Sequence, residues 1–378
     1  MPSLTQFDHY LKDEGPAALV LREYLMPVEG SDGVLFPATF AAGSGFPGGY
    51  NIDRFGDEKN RNVCLIDSVG SQANRIEPLF MREKYKYLVP QIVVKAGEKE
   101  VNLLEAGHRA GDALLRCSSL GDELLQAFHS ELAGDCEPLA KVAPTSLVFG
   151  VWDSRQTQSK RPRLVASAIW AFNVHELKRG AVYIPPLDYT ELDVFSQEDK
   201  AKAEGDNKSP LAKRGFVHNP ASAAPGGVIA DGGIRRDASL GLAALKQIQA
   251  GKDSERTLLL RRYILGLSLV AFTAPAESYI RQGCTLVLEP EPGNGRQARE
   301  FAEVYPDGHR LPCDVTHDVA LEYAMAVAGA FGVGESRTVP FDKERAKRDV
   351  KPEDVGKGTS KRGAKKKEGS SEKPEENG

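Results

Sequence analysis

Short apolar runs bounded by Gly, Pro, Asp and Asn appear early in the chain. GVLFPATFAA and NVCLID read as strands separated by a Gly-, Asp- and Asn-rich connection. From about Gln72 to Phe128 the period lengthens. VNLLEAGHRAGDALLRCSSLGDELLQAFHSEL places apolar residues at three- and four-residue spacing, which predicts two helices broken near Ser118 to Gly121. APTSLVFGVWDS and RLVASAIWAFNVHEL then read as two strands facing each other across a short loop. SERTLLLRRYILGLSLVAFTAP reads as a helix running into a strand, GCTLVLEP as a further strand and DVALEYAMAVAGAFG as a last helix. Strands and helices mix without strict alternation, so the expected class is α+β rather than a doubly wound sheet. No internal repeat is present.

Two segments break this pattern. Between Tyr183 and Asp237 the periodicity is weak and Gly, Pro and charge accumulate. A segment of that length inside a compact domain is expected to be a functional insertion or a linker. Residues 341–378 are almost free of apolar side chains and are expected to be a disordered tail, because so little burial cannot offset the entropy of ordering.

Composition narrows the class. With 378 residues and 41% hydrophobic content the chain can build a sizeable core. It has neither a run of apolar residues long enough for a membrane span nor a basic-then-apolar leader, so the expected location is the cytoplasm, away from membranes. Five scattered cysteines without a C-x-x-C pair predict reduced, mostly buried thiols. The net charge of −4 conceals an asymmetry: residues 341–378 hold 12 of the 49 Lys and Arg and 9 of the 53 Asp and Glu, leaving 37 basic and 44 acidic residues for the body. A body that acidic confines any nucleic-acid contact to local patches.

The candidate chemistry is sparse. Gly43, Gly45 and Gly48 form a G-x-G-x-x-G, and Asp67 follows Gly48 by 19 residues at the end of a strand, as a ribose-binding acid would. Yet no amphipathic helix opens at those glycines and Pro47 sits among them, which argues against a dinucleotide-binding enzyme. The histidines form no H-E-x-x-H, and there is no G-x-S-x-G or metal-ligand cluster. The loop SRQTQSKRPR is richer: Arg155, Lys160, Arg161 and Arg163 lie within nine residues without an acid, between stretches carrying Trp152 and Trp170. Phosphate oxygens select such a concentration of cations, although a solvated hairpin tip explains it as well. In AAPGGVIADGGIRRDASL the glycines permit close approach, Val228 and Ile229 offer an apolar tip, and Arg235 and Arg236 follow. A flexible linker accounts for the same residues. In DSVGSQANR, a polar turn between strand and helix could present Ser71, Gln72, Asn74 and Arg75 to a phosphodiester chain, while N-capping explains Ser71 equally well.

Taken in order, CLIDSVGSQANRIEP, VNLLEAGHRAGDALLR, LAKVAPTSLVFGVWDSRQTQSKRPRLV and GGVIADGGIRRDASL resemble the backbone subunit of type I-G (formerly I-U) CRISPR Cascade, a member of the Cas seven group of the RAMP superfamily, over roughly residues 30 to 335. The resemblance implies a ferredoxin-like (RRM-like) palm over 1–340, with helical fingers at about 83–140 and an inserted thumb, placed here at 183–237. It further implies a subunit that oligomerises along crRNA and presents the guide for pairing with target DNA. Its partners would be further copies of itself, a large Cas eight subunit, a fused Cas five/Cas six protein and, through the assembled complex, the Cas three nuclease. No catalytic residue, metal or cofactor is expected. The group's strand-to-helix segment carries Ser, Gln and a basic residue that contact the crRNA backbone, matched here by Ser71, Gln72 and Arg75, whereas Asn74 stands where a basic residue is common. Type III backbone subunits cut target RNA with a metal-assisted Asp near the start of the palm. Asp53 lies in a comparable place with Asp67 near it, so a metal-dependent nuclease is the alternative within the superfamily.

Overall fold

The computed structural model describes residues 3–56, 61–293 and 295–350. Eleven strands carry the argument: β1 (Ala18–Pro27), β2 (Ile52–Arg54), β3 (Asn62–Asp67), β4 (Val165–Phe172), β5 (Val174–Tyr183), β6 (Asn219–Ala230), β7 (Ile234–Gly241), β8 (Tyr279–Arg281), β9 (Cys284–Leu288), β10 (Arg299–Val304) and β11 (Arg310–Pro312). Nine of them form a curled antiparallel sheet in the order β8-β9-β1-β7-β4-β3-β2, with β10 also on β1 and β11 on β10. The mixed α+β class agrees with the sequence.

Period-two alternation sets the two faces of this sheet. On β1, Leu19, Leu21, Glu23 and Leu25 are buried while Val20 and Arg22 are half-buried; on β7, Ile234, Arg236, Ala238 and Leu240 are buried. The buried face is covered at one end by helices and at the other by the segments carrying Leu35, Tyr50, Ile280 and Cys284. Helix α1 (Val69–Ile76) follows β3 directly, α2 is Gly121–Leu132, and α3 (Ser254–Thr273) crosses the core beside α4 (His317–Phe331). A Cβ on Gly266 would stand 2.8 Å from Val327 Cγ2 and 3.0 Å from Ala324 Cα, so the two helices touch almost backbone to backbone. Gly266→Val is therefore expected to lower stability by about 1–3 kcal/mol through overpacking, as a shift in the urea midpoint at unchanged m-value would show.

Several sequence readings need correction. Helix α3 is continuous through Thr273 and does not run into a strand. It is buried nearly all round from Tyr263 onward, which removes the 3.6-residue signal that marks a surface helix. APTSLVFG is not a strand: Thr145–Phe149 is helical, and only Val151–Trp152 is extended. RLVASAIWAFNVHEL is two strands, broken where Asn173 takes φ 51° and the chain leaves the large sheet. The region assigned to helical fingers also contains strands Ile92–Ala96 and Lys99–Asn102, which pair with each other, the first also pairing with Arg337–Pro340. At the other end, helix α5 (Lys343–Asp349) lies inside the stretch expected to be disordered, held by Arg116 to Asp349 at 2.7 Å and Arg345 to Asp122 at 2.9 Å. Residues 351–378 of that stretch lie outside the described residues.

The weakly periodic insertion is built as an arm. Strands β5 and β6 form their own two-stranded sheet, and between them Gln197–Ala203 and Pro210–Lys213 are helices packed around Ala203, Ala212 and Val217. The arm thus runs from Val174 to Ala230. The sequence-based limits 183–237 start too late and take in the first residues of β7, a strand of the large sheet. Gly232 lets the returning chain pass close to β4, since a Cβ there would lie 2.8 Å from the Phe172 carbonyl oxygen.

Candidate nucleic-acid interface

The strand-to-helix elbow is organised around Asp67, which is 2% exposed. Ser71 Oγ donates to Asp67 Oδ1 at 2.7 Å, Gln72 Nε2 to Oδ2 at 2.7 Å and Arg75 Nε to Oδ2 at 3.1 Å. Arg281 Nη2, from β8, adds a bond of 3.3 Å to Oδ1. Gln72 Oε1 accepts from Ser167 Oγ on β4 at 2.9 Å, and Arg75 Nη2 donates to the Ile280 carbonyl at 2.8 Å. A buried carboxylate has to be paired and hydrogen-bonded, and this polar run supplies the partners that tie β3, α1, β4 and β8 together. The N-cap is Ser68, whose side chain accepts from Ser71 N, and not Ser71. Gln72 is buried and turned inward, which is the opposite of presentation to a phosphodiester chain. Ser71 and Arg75 are half-buried and Asn74 is exposed. Runs of this kind read alike whether they face a ligand or a buried acid, so the sequence alone could not separate the two.

The cation loop is rigid. Val151–Trp152 pairs with Lys160–Arg161, and the turn between them is built on Asp153, which is 3% exposed. Its carboxylate accepts from the backbone N–H groups of Arg155, Gln156 and Thr157 and from Thr157 Oγ1 at 2.7 Å. Burial alone raises its pKa, but these hydrogen bonds prevail and hold Asp153 below the usual carboxylate range. On this frame Arg155, Lys160 and Arg163 are exposed. Lys160 Nζ lies 5.5 Å from the centroid of the Trp152 ring, which is 54% exposed. An exposed indole beside Lys160, on a loop that also exposes Arg155 and Arg163, can combine base stacking with phosphate attraction. Trp152 was visible in the sequence only as a neighbour of the basic run, because its exposure depends on the short pairing that turns it outward. Arg161 departs from the expected role: its guanidinium pairs with the buried Glu131 and donates to Cys136 Sγ at 3.0 Å.

Arg235 and Arg236 are not on the arm. Both lie on β7, and alternation sends them to opposite faces of the sheet. Arg235 donates to Asp237 Oδ2 at 2.9 Å and stacks 4.8 Å over the Phe172 ring. Arg236 is 4% exposed, with Nε 2.6 Å from Glu23 Oε2. Val228, half of the expected apolar tip, is fully buried at the base of the arm. The exposed apolar residues lie further out, among them Val182, Tyr183, Ile184 and Leu187.

A cleft of about 840 Å³ opens over the buried face of the sheet, between α1 and the segments before β9 and α4. A row of directly paired residues crosses five strands, Arg299, Glu23, Arg236, Ile169 and Asp67, and the first four line the cleft. Glu23 lies between two arginines, 2.6 Å from Arg236 Nε and 3.2 Å from Arg299 Nε.

The glycines Gly43, Gly45 and Gly48 lie in a loop followed by strand β2, with no helix opening there, consistent with the argument against a dinucleotide site. Asp53 is exposed on β2, and among the described residues no three His, Cys, Asp or Glu side chains group as metal ligands. Cys64, Cys117, Cys136, Cys284 and Cys313 are free thiols, the first four buried. Among the described residues no helix is long and apolar enough to cross a membrane.

The class defined so far is an α+β protein with a charged cleft under its sheet and an aromatic-cationic loop on its surface. Residues 19–176 match the family model described as CRISPR-associated protein GSU0053. No curated protein matches the chain.

Proposed function

We propose that the protein is a guide-RNA-binding backbone subunit of a CRISPR surveillance complex, of the type I-G Cascade kind. The observation that carries this reading is the exposed Trp152 with Lys160 beside its ring, on a loop that also exposes Arg155 and Arg163 and that hydrogen bonds to Asp153 organise. Such a surface binds single-stranded RNA through its backbone and its base faces without choosing a sequence, which suits a complex in which base pairing supplies the specificity. Three further features support it. The match of residues 19–176 lies in a CRISPR-associated family. The central strand order β9-β1-β7-β4, with helices in the connections between β1 and β4 and between β7 and β9, is compatible with the βαββαβ arrangement that this reading expects of a ferredoxin-like palm, with β3 added beside β4. The arm Val174–Ala230, inserted between paired strands β4 and β7, is the thumb of this reading, with Val182, Tyr183 and Ile184 as its exposed apolar part.

In this reading the RNA contacts are Trp152, Arg155, Lys160 and Arg163, joined by Asn74 and Arg75 at the elbow. Ser71, Gln72, Arg161 and Arg236 hold the scaffold. Further copies, the large Cas eight subunit and the fused Cas five/Cas six protein are the partners, target DNA is reached through the guide, and the Cas three nuclease acts through the assembled complex. Co-expression with a CRISPR array tests the assembly. The expected product is an RNA-containing particle whose mass rises in steps with guide length, as seen by native mass spectrometry and electron microscopy. An RNA-free monomer from that experiment would contradict the proposal, and cleavage of complementary RNA with Mg²⁺ or Mn²⁺ that is lost in Asp53→Ala would favour the nuclease reading.

A further inference from the structure

The cleft under the sheet holds charge that the scaffold does not satisfy. Glu23 is shared by Arg236 and Arg299, and Asp67 by Arg75 and Arg281, so each buried carboxylate faces two guanidinium groups and each trio keeps one positive charge. Removing such charge from water is expensive unless it is paired, and burial pulls the Arg236 guanidinium below the usual arginine range despite Glu23. Arg236 Nη2 is buried and has no hydrogen-bond partner. Arg236, Arg299 and Arg75 line the cleft, as does Arg82, which pairs with Glu277 on the same wall at 3.6 Å. The lining around them is mixed: Ile76, Leu79, Leu286 and Phe301 are apolar, and Asp314 is exposed on the wall. The floor therefore offers guanidinium donors to an oxyanion, the apolar lining offers a face to a flat ring, and Asp314 offers an acceptor to hydroxyl or amino hydrogens.

We propose that this cleft is a nucleotide-binding site, with the phosphate on Arg236 and Arg299 and the base against the apolar lining beside Phe301. A cleft of this volume, in which apolar side chains stand beside convergent charged groups, can hold a small molecule. A phosphate monoester, with three oxygens and nearly two negative charges, can engage both guanidinium groups of the Glu23 trio at once. The same chemistry can come from a free nucleotide or from the terminal nucleotide of an RNA chain. The site is separate from the Trp152 loop and does not depend on the guide-RNA reading.

Equilibrium titration of the full chain, freed of nucleic acid at high salt, with AMP and with adenosine tests the assignment. Saturable binding of one AMP, at least tenfold tighter than adenosine, is expected, and Arg299→Gln should weaken AMP at least tenfold. Arg299 is 44% exposed on its side chain, so this variant is expected to fold, and an unchanged melting temperature verifies it. Arg155→Ala/Lys160→Ala/Arg163→Ala should retain AMP binding, which separates failure of this site from failure of the RNA surface. Displacement of AMP by a 5′-phosphorylated RNA oligomer but not by its 5′-hydroxyl counterpart assigns the site to a chain end, and displacement by neither assigns it to a free nucleotide. AMP binding no tighter than adenosine, or unaltered in Arg299→Gln, overturns the proposal.

Discussion

Arg109→Ala is expected to be among the most destabilising single substitutions, by about 3–5 kcal/mol at pH 8 in chemical denaturation. Arg109 and Glu77 are both almost wholly buried, with Arg109 Nε 2.7 Å from Glu77 Oε2. Arg109 Nη1 also donates to the Gly150 carbonyl at 3.3 Å, just before Trp152, and the guanidinium lies 5.3 Å from the Phe149 ring centroid. The pair thus links the turn after α1 to the base of the cation loop. Removing one partner leaves a buried charge uncompensated, which is far worse than never having had the pair. The sign with pH follows. Burial pushes Glu77 up to about 7, although Arg109 and Thr145 pull it down. A carboxyl whose folded pKa is raised contributes stability that is fully present below its unfolded value near 4.5 and is lost as pH rises through about 7. Without Arg109 the carboxyl rises further and escapes its charge by protonation, so the loss in Arg109→Ala should be smaller at pH 5.5 than at pH 8. Adding Glu77→Gln should recover part of the pH 8 loss, and a double-mutant cycle that adds without coupling would remove this account of the pair.

Trp152→Ala is expected to weaken binding of single-stranded guide RNA by roughly 1–3 kcal/mol, the contribution of one stacked base. Trp152 is 54% exposed and is not among the core residues, so the fold should not change, and circular dichroism should overlay that of the wild type. RNA is expected to quench the fluorescence of the wild type and to lose that effect in the variant, leaving the half-buried Trp170 as the remaining indole. Trp152→Phe should retain most of the affinity. Equal affinity in Trp152→Ala would show that the loop attracts RNA through charge alone.

How much of this was legible in the sequence depended on whether the signal was local. The strand NVCLID with its polar elbow and the helix DVALEYAMAVAGAFG appear where their patterns place them. Strand β1, at the centre of the large sheet, lies in ALVLREYLMP, where the sequence reading placed no element: Arg22 and Glu23 interrupt its apolar run, and their partners Asp237, Glu300, Arg236 and Arg299 lie more than 200 residues away. The same distance explains the site residues. Arg155, Lys160 and Arg163 are exposed because a local turn exposes them. Arg161 and Arg236, in equally basic stretches, are turned inward onto Glu131 and Glu23, and nothing in their own neighbourhood announces it. Gln72 and Ser71 likewise serve the buried Asp67, a residue that spacing alone cast as a ribose ligand.

The dependence of guide-RNA affinity on salt tests the central claim most directly. Measured for the wild type and for Arg155→Ala/Lys160→Ala/Arg163→Ala, the affinity should fall with rising salt in both, but the variant's logarithmic slope should be shallower by about 2, reflecting three lost phosphate contacts at roughly 0.7 each. Its affinity at low salt should be reduced as well, with the melting temperature unchanged. Two parallel lines of equal affinity would contradict the assignment of this loop as the RNA-binding surface.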